Sequence, residues 1–270
     1  MKITRKFKTI SLKIIFRILE KIKNQHIWEN IFQLSLKQMN FGNGGDFNQS
    51  GELFVSKYIY NNFKNEPLIT IFDVGANVGN YSKALSKVFN AKARIYSFEP
   101  SKKTFDLFLE TTQNIDVIIP NNFGFSDKEY NQILFTNIEG SGLASVYQRK
   151  LDHFGIKMDI TEEIKLTTID LYCKKNNIEQ IHFLKLDIEG HELNALNGAK
   201  NMIEKGKIDF IQFEFGGCNI DSRTYFQDFY YILKDKYKIY RILKDGIYEL
   251  PDYKETYEIF ITINYLAIRR

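Results

Sequence analysis

The chain has little cysteine, with Cys173 and Cys218 the two thiols among 270 residues. That excludes a disulfide-dense scaffold and a multi-thiolate metal cluster, and it suits a reducing compartment. No run of residues is apolar and long enough to span a bilayer. A secretory leader is not expected either: Lys13 and Arg17 interrupt the basic N-terminal stretch, and no small-residue cleavage site follows. Charge of one sign is also scarce. The formal net charge is +4, too mild to hold a polyanion. Eight Lys or Arg residues fall between Lys2 and Lys23 against the single acid Glu20, so the remainder is slightly acidic. A nucleic-acid partner is therefore not expected. The working expectation is a cytoplasmic protein, with contact at the inner face of a membrane left open.

What is present is ordinary for a globular chain: 44% hydrophobic and 26% charged residues. The length suffices for one buried core plus an extension. Ile3, Phe7, Ile10, Ile14, Ile18 and Ile22 recur at three- and four-residue steps, predicting an amphipathic helix. Packing on its own domain, on a dimer partner or on an anionic membrane surface are the readings that helix allows. A Gly/Asn-rich passage from Phe41 reads as a loop. The division expected is an N-terminal extension over residues 1–50 and a catalytic domain over 51–270, with an insert at about 128–168.

From residue 67 onward, apolar runs alternate with helical segments. They end at Asp73, Glu99, Ile119, Asp187 and Glu214. This rhythm predicts an α/β fold, a doubly wound and mostly parallel seven-stranded sheet closed by a C-terminal antiparallel hairpin. Four of the five runs end at or near an acid, and ligands bind outside the carboxyl ends of such strands. Helix capping is the alternative role for any one of these acids. The insert contains Gln132-Ile-Leu-Phe-Thr, the turn Gly140-Ser-Gly and Ile164-Lys-Leu-Thr-Thr-Ile-Asp, read as a β-hairpin and an edge strand.

The segment Asp73-Val-Gly-Ala-Asn-Val-Gly-Asn-Tyr81 places Gly75 and Gly79 around a strand-to-helix turn, where backbone can approach a ligand. It lacks the third glycine of a dinucleotide fingerprint and the Lys-Ser/Thr of a phosphate loop. A ligand without phosphates fits best. Glu99 follows at about the 20-residue interval at which an acid meets a ribose, and its carboxylate can accept bonds from both ribose hydroxyls.

With Ser-Phe-Glu-Pro (97–100), Phe-Ser-Asp (125–127), Thr-Thr-Ile-Asp (167–170), Phe-Leu-Lys-Leu-Asp-Ile-Glu-Gly-His-Glu (183–192) and Leu196-Asn-Gly-Ala, the chain resembles the FkbM family of class I S-adenosylmethionine-dependent methyltransferases. The resemblance runs from about Ile69 to Glu214. It implies S-adenosylmethionine as cofactor and methylation of a hydroxyl, often on a sugar, either nucleotide-linked or part of a glycan. Carried over, it puts Asp73, Gly75, Asn77 and Gly79 at the methionine end of the cofactor, Glu99 at the ribose, and Ser126 with Asp127 near the adenine, with Tyr81 and Pro100 also among the cofactor-binding residues.

A sugar hydroxyl needs a base or a metal ion to become a nucleophile at neutral pH. Asp187, Glu189 and His191 are the candidates for the base. A divalent ion held by Asp187, Glu189 and Glu214 is the alternative, since hard oxygen ligands suit Mg²⁺ or Mn²⁺. Lys185 shares a strand face with Asp187 and reads as its ion-pair partner. Tyr147, Tyr225 and Phe226 are aromatics that could stack on a sugar. A nicotinamide-dependent sugar oxidoreductase would share the sheet and ribose acid, but the third glycine of its fingerprint is missing. A non-catalytic cofactor-binding scaffold is the remaining alternative.

Overall fold

A computed structural model describes residues 23–44 and 47–270. The amphipathic segment expected over residues 3–22 lies outside the described residues. The chain divides into two compact units, Met1–Phe41 and Gly42–Arg270. In the first, helix α1 (Gln25–Gln38) starts at Asn24, whose side chain accepts from the His26 N–H at 3.1 Å. It ends where Asn40 turns left-handed, with φ 73°. Leu36 is buried, while Phe32 and Leu34 are exposed.

The second unit is built on helix α2 (Glu52–Asn62) and a βα rhythm: β1 (Ile69–Val74), α3 (Asn80–Phe89), β2 (Ala93–Phe98), α4 (Lys102–Thr112) and β3 (Ile118–Asn121). The insert carries β4 (Gly124–Phe125), β5 (Tyr130–Thr136) and β6 (Ile160–Thr167). Then come α5 (Ile169–Lys175), β7 (Ile181–Leu186), α6 (Glu192–Asn197), α7 (Lys200–Glu204), β8 (Ile208–Phe215), α8 (Cys218–Ser222) and α9 (Phe226–Leu233). Strands β9 (Tyr237–Leu243), β10 (Gly246–Glu249) and β11 (Ile263–Arg269) complete it.

The main sheet runs β10-β9-β11-β8-β7-β1-β2-β3. Strands β3, β2, β1, β7 and β8 are mutually parallel, and β11 runs antiparallel between β8 and β9. The doubly wound sheet is thus as expected, but with eight strands rather than seven. The extra one is β10, which the Asp245-Gly246 turn folds back onto β9. The insert differs too. Its strands form a separate three-stranded sheet, β4-β6-β5, rather than an edge of the main one.

Alternation along the strands sorts side chains onto two faces. Ile69, Ile71, Ile95 and Phe183 meet Val55, Ile59, Leu85 and Phe89 in one apolar layer. On the other face, Phe72 and Phe98 pack against Tyr172 of α5 and Phe125 of the insert. No helix among the described residues is long and apolar enough to cross a membrane.

Candidate active site

The strand order reverses direction between β1 and β7, and the crevice at such a switch point is where an open α/β sheet binds ligands. Gly75 leaves β1 there with φ +86°, and a Cβ on it would stand 1.8 Å from the Asp187 carbonyl oxygen at the end of β7. Only glycine lets these two strand ends come so close. Gly79 (φ +88°) opens α3, and a Cβ there would press on Thr112 and Phe108 of α4. The intervening Asn77 is also left-handed. Its N–H donates to Glu99 Oε2 at 3.0 Å, and its side-chain amide donates to the Ser141 carbonyl at 2.9 Å.

Glu99 is buried and accepts a second backbone bond from Ser101 N–H, at 2.9 Å on Oε1. Burial pushes its pKa up to about 7, against the lowering effect of those two bonds. The glycine turn and the acid are therefore physically joined, 22 residues apart in sequence.

Two cavities meet at this crevice. The first is lined by Gly75, Asn77, Glu99, Pro100, Asp187 and Glu189 on one side. The insert supplies the other side, with Leu134, Ala144, Val146, Ile164 and Leu166. No Lys or Arg lines it, so a pyrophosphate facing Glu99 and Asp187 would find repulsion and no compensating cation. The second cavity shares Gly75, Asn77, Asp187 and Glu189 and adds Glu52, Tyr81, Arg149, Lys185 and Glu214.

Beneath the second cavity lies a row of buried polar groups. The register puts Asp73 beside Lys185 and Lys185 beside Gln212, across three strands. Lys185 Nζ donates to Asp187 Oδ2 at 2.8 Å, lies 4.0 Å from Asp73 Oδ1, and sits 4.3 Å from the centre of the Tyr81 ring. The expected ion pair is present. Burial works to lower the Lys185 pKa, but Asp187, Asp73 and Glu52 outweigh it and hold the ammonium above its ordinary value. Ser82 donates to Asp73 Oδ2 at 2.5 Å, and Gln212 donates to Glu52 Oε1 at 2.8 Å. Asp73 thus anchors the turn from below and lines neither cavity.

The loop after β7 is held from two sides. Glu192, fully buried, accepts from the N–H groups of Ile188 (2.8 Å) and Gly190 (3.0 Å), and burial raises its pKa to about 7. It is a brace for the loop. From above, every second residue of an insert segment bonds to the loop. Ser145 Oγ donates to the Glu189 carbonyl at 2.7 Å, Tyr147 OH meets His191 Nδ1 at 3.0 Å, and Arg149 Nη1 pairs with Glu189 Oε2.

His191 also contacts Ser126 Oγ through Nε2, at 2.9 Å. Burial drops its pKa to about 4, so the ring is neutral near pH 7 with both nitrogens engaged. His191 thus bridges insert and loop, and it also lines the first cavity. Ser126 is consumed in that bridge, and neither it nor Asp127 lines the first cavity. Phe226 is core, packed on Phe215 and Tyr265. Tyr225 is half exposed beside Phe260.

The trio of Asp187, Glu189 and Glu214 is not assembled as a metal site. Asp187 is paired with Lys185 and Glu189 with Arg149. The donor atoms that gather within 4.8 Å are those of Glu189, Glu214 and Cys218. A buried thiol whose pKa is pushed well up by its surroundings is a poor partner for a hard cation.

The glycine turn joined to an acid 22 residues further on has a counterpart among known domains. Residues 73–241 match the methyltransferase FkbM domain. The chain belongs to that family. A curated relative, hexuronic acid methyltransferase AglP of Haloferax volcanii, is 26% identical over 147 residues, which is 54% of this chain and 56% of that protein. The chain thus matches just over half of that relative's length. Among solved structures, methyltransferase FkbM from Methylobacillus flagellatus KT is 20% identical, with a TM-score of 0.44, over 74% of this chain and 44% of that one. An O-methyltransferase from Bacillus cereus in complex with SAH is 10% identical, with a TM-score of 0.41, over 80% of each chain.

Arg149, Glu52 and Gln212 were not anticipated from sequence. The polar residues at alternate positions 145, 147 and 149 are the one signal that could have marked the insert segment.

Proposed function

We propose that this FkbM-domain protein transfers a methyl group from S-adenosylmethionine to a hydroxyl of a sugar. The observation that carries the reading is the first cavity: Glu99 joined to the Gly75–Gly79 turn, apolar residues of the insert opposite, and no cation to receive a phosphate. These residues fit an adenosyl group. Glu99 has a remaining lone pair on each oxygen for ribose hydroxyls, and the small sheet offers an apolar surface to the purine. Gly75, Asn77 and Asp187 stand where the cavities join, next to the charged groups that would receive a methionine end. When bound, the cofactor supplies a methyl group on a sulfonium.

The protein's part is to align an acceptor oxygen and exclude water. The second cavity opens beside the loop of Asp187 and Glu189 and has the room for a sugar. The relative's activity on a hexuronic acid supports a sugar acceptor. Asp187 and Glu189 are the acids positioned to take a proton, with His191 shaping the loop that carries them.

Isothermal titration with S-adenosylhomocysteine tests the cofactor, and absence of binding at millimolar ligand would refute the reading. Mass spectrometry of cell glycans and sugar nucleotides with and without the gene tests the acceptor. A species heavier by one methylene should disappear with the gene.

A further inference from the structure

The assignment that follows rests on the methyl-transfer reading and narrows it to one carboxylate and its support. We propose that Glu189 accepts the proton of the reacting hydroxyl and that Arg149, from the insert, is the positioning residue that aims its carboxylate.

Glu189 occupies a left-handed conformation, φ +51°, which non-glycine residues adopt uncommonly. Such strain persists where surrounding contacts over-determine it. Here Ser145 holds its carbonyl, Glu192 holds the N–H groups on either side, and Arg149 holds its side chain. Three residues, two from the insert and one from α6, thus fix one acid at the junction of the two cavities.

The competing groups are otherwise committed. Asp187 Oδ2 is 2.8 Å from a buried ammonium that also answers to Asp73, so Asp187 is held as the upper end of the charged row beneath the cavity. His191 has both ring nitrogens in hydrogen bonds. Burial and the nearby Asp187 and Glu192 raise the proton affinity of Glu189, and Arg149 opposes them. Arg149 is itself buried, with Asp221 3.9 Å from its Nε on the side away from its Nη1 contact.

In the step this implies, the acceptor oxygen forms the new C–O bond. The C–S bond breaks with its electron pair staying on sulfur, and the hydroxyl proton passes to a Glu189 oxygen.

The test needs no acceptor. Sinefungin carries an amine where S-adenosylmethionine carries its reactive methyl, so its ammonium probes for a carboxylate at the reacting position. Titration calorimetry should show sinefungin binding about tenfold more tightly than S-adenosylhomocysteine, the scale of one charge-assisted hydrogen bond. Glu189→Gln should erase that preference and leave S-adenosylhomocysteine affinity within about twofold. Arg149→Gln should reduce the preference, and Arg149→Lys should restore part of it.

A merely structural Arg149 would weaken both ligands alike with the ratio unchanged, which would overturn its role. A preference that survives Glu189→Gln, or that Asp187→Asn removes instead, would overturn the choice of Glu189. A wild-type protein that binds S-adenosylhomocysteine without preferring sinefungin would also overturn it. Failure to bind S-adenosylhomocysteine at all would instead sink the underlying cofactor reading.

Discussion

Replacing Gly75 by Ala puts two independent costs on one atom. The backbone there has φ +86°, and holding an L-residue in the left-handed region costs about 1–2 kcal/mol. The added Cβ would also lie 1.8 Å from the Asp187 carbonyl oxygen and 2.8 Å from its carbon. That obstacle is backbone, so relief requires the ends of β1 and β7 to separate, with an overpacking cost of about 1–3 kcal/mol. Together these come to about 2–5 kcal/mol. For a domain of this size that is a fall in Tm of roughly 4–20 °C. Because the displaced peptide belongs to Asp187, cofactor affinity should fall with stability.

The assay is calorimetric melting beside S-adenosylhomocysteine titration. Gly246→Ala is the control: it meets nothing within 4 Å and has no positive φ, so it should change stability by no more than about 0.5 kcal/mol. A Gly75→Ala protein that melts with the wild type and binds the ligand equally well would refute the geometry argued for the strand ends.

Lys185→Met should destabilise the fold by about 3–5 kcal/mol in urea titration, because it leaves the buried Asp73, and the part-exposed Asp187 beside it, without their cation. A cost below about 1 kcal/mol would show that the row is not held by charge. The raised pKa values of Glu99 and Glu192, each about 7, mean the folded state binds protons that the unfolded state has released. Ligand-free stability should therefore decline as pH rises from about 4.5 through about 7, and a Tm higher at pH 8 than at pH 6 would contradict it. His191 acts oppositely: its pKa of about 4 should cost stability as pH falls below about 6.5. His191→Ala should remove that acid-side loss, which melting at pH 5 and 7 would reveal. Gly198→Ala should cost about 1–3 kcal/mol, since its Cβ would lie 2.0 Å from the Ser126 carbonyl; an unchanged Tm would rule out that contact.

The alternation of apolar runs and helical faces was enough to read the doubly wound sheet, because both faces are covered and the central strands are predominantly apolar. What escaped was short or non-local. Strand β10 has four residues and pairs only with its hairpin neighbour. The insert's strands look like edge strands in sequence because nothing local says which sheet they join.

The same division holds at the site. Gly75, Asn77 and Glu99 were legible, since a turn and an acid at a fixed interval are local signals. Arg149 was not: its partner is 40 residues away, and the alternation of polar residues at 145, 147 and 149 does not say what they face. Ser126 was assigned a cofactor-facing role from its place in a motif, yet it lies outside the first cavity and bonds to His191. A motif can mark the residues that hold a site together as readily as those that touch its ligand.

The antiparallel insertion of β11 between β8 and β9 has a consequence for the order of assembly. Strands β9 and β10 leave the ribosome before β11, yet no hydrogen-bonded neighbour joins them to the parallel sheet until β11 arrives. A nascent chain that has just released residue 250 therefore holds five parallel strands with an open edge at β8 and a hairpin with nowhere to dock. Domains generally fold as units during synthesis, and here the closing strand follows the hairpin that it must join to the sheet. That exposed β8 edge, eight buried residues long, is the surface on which two unfinished chains would pair with each other.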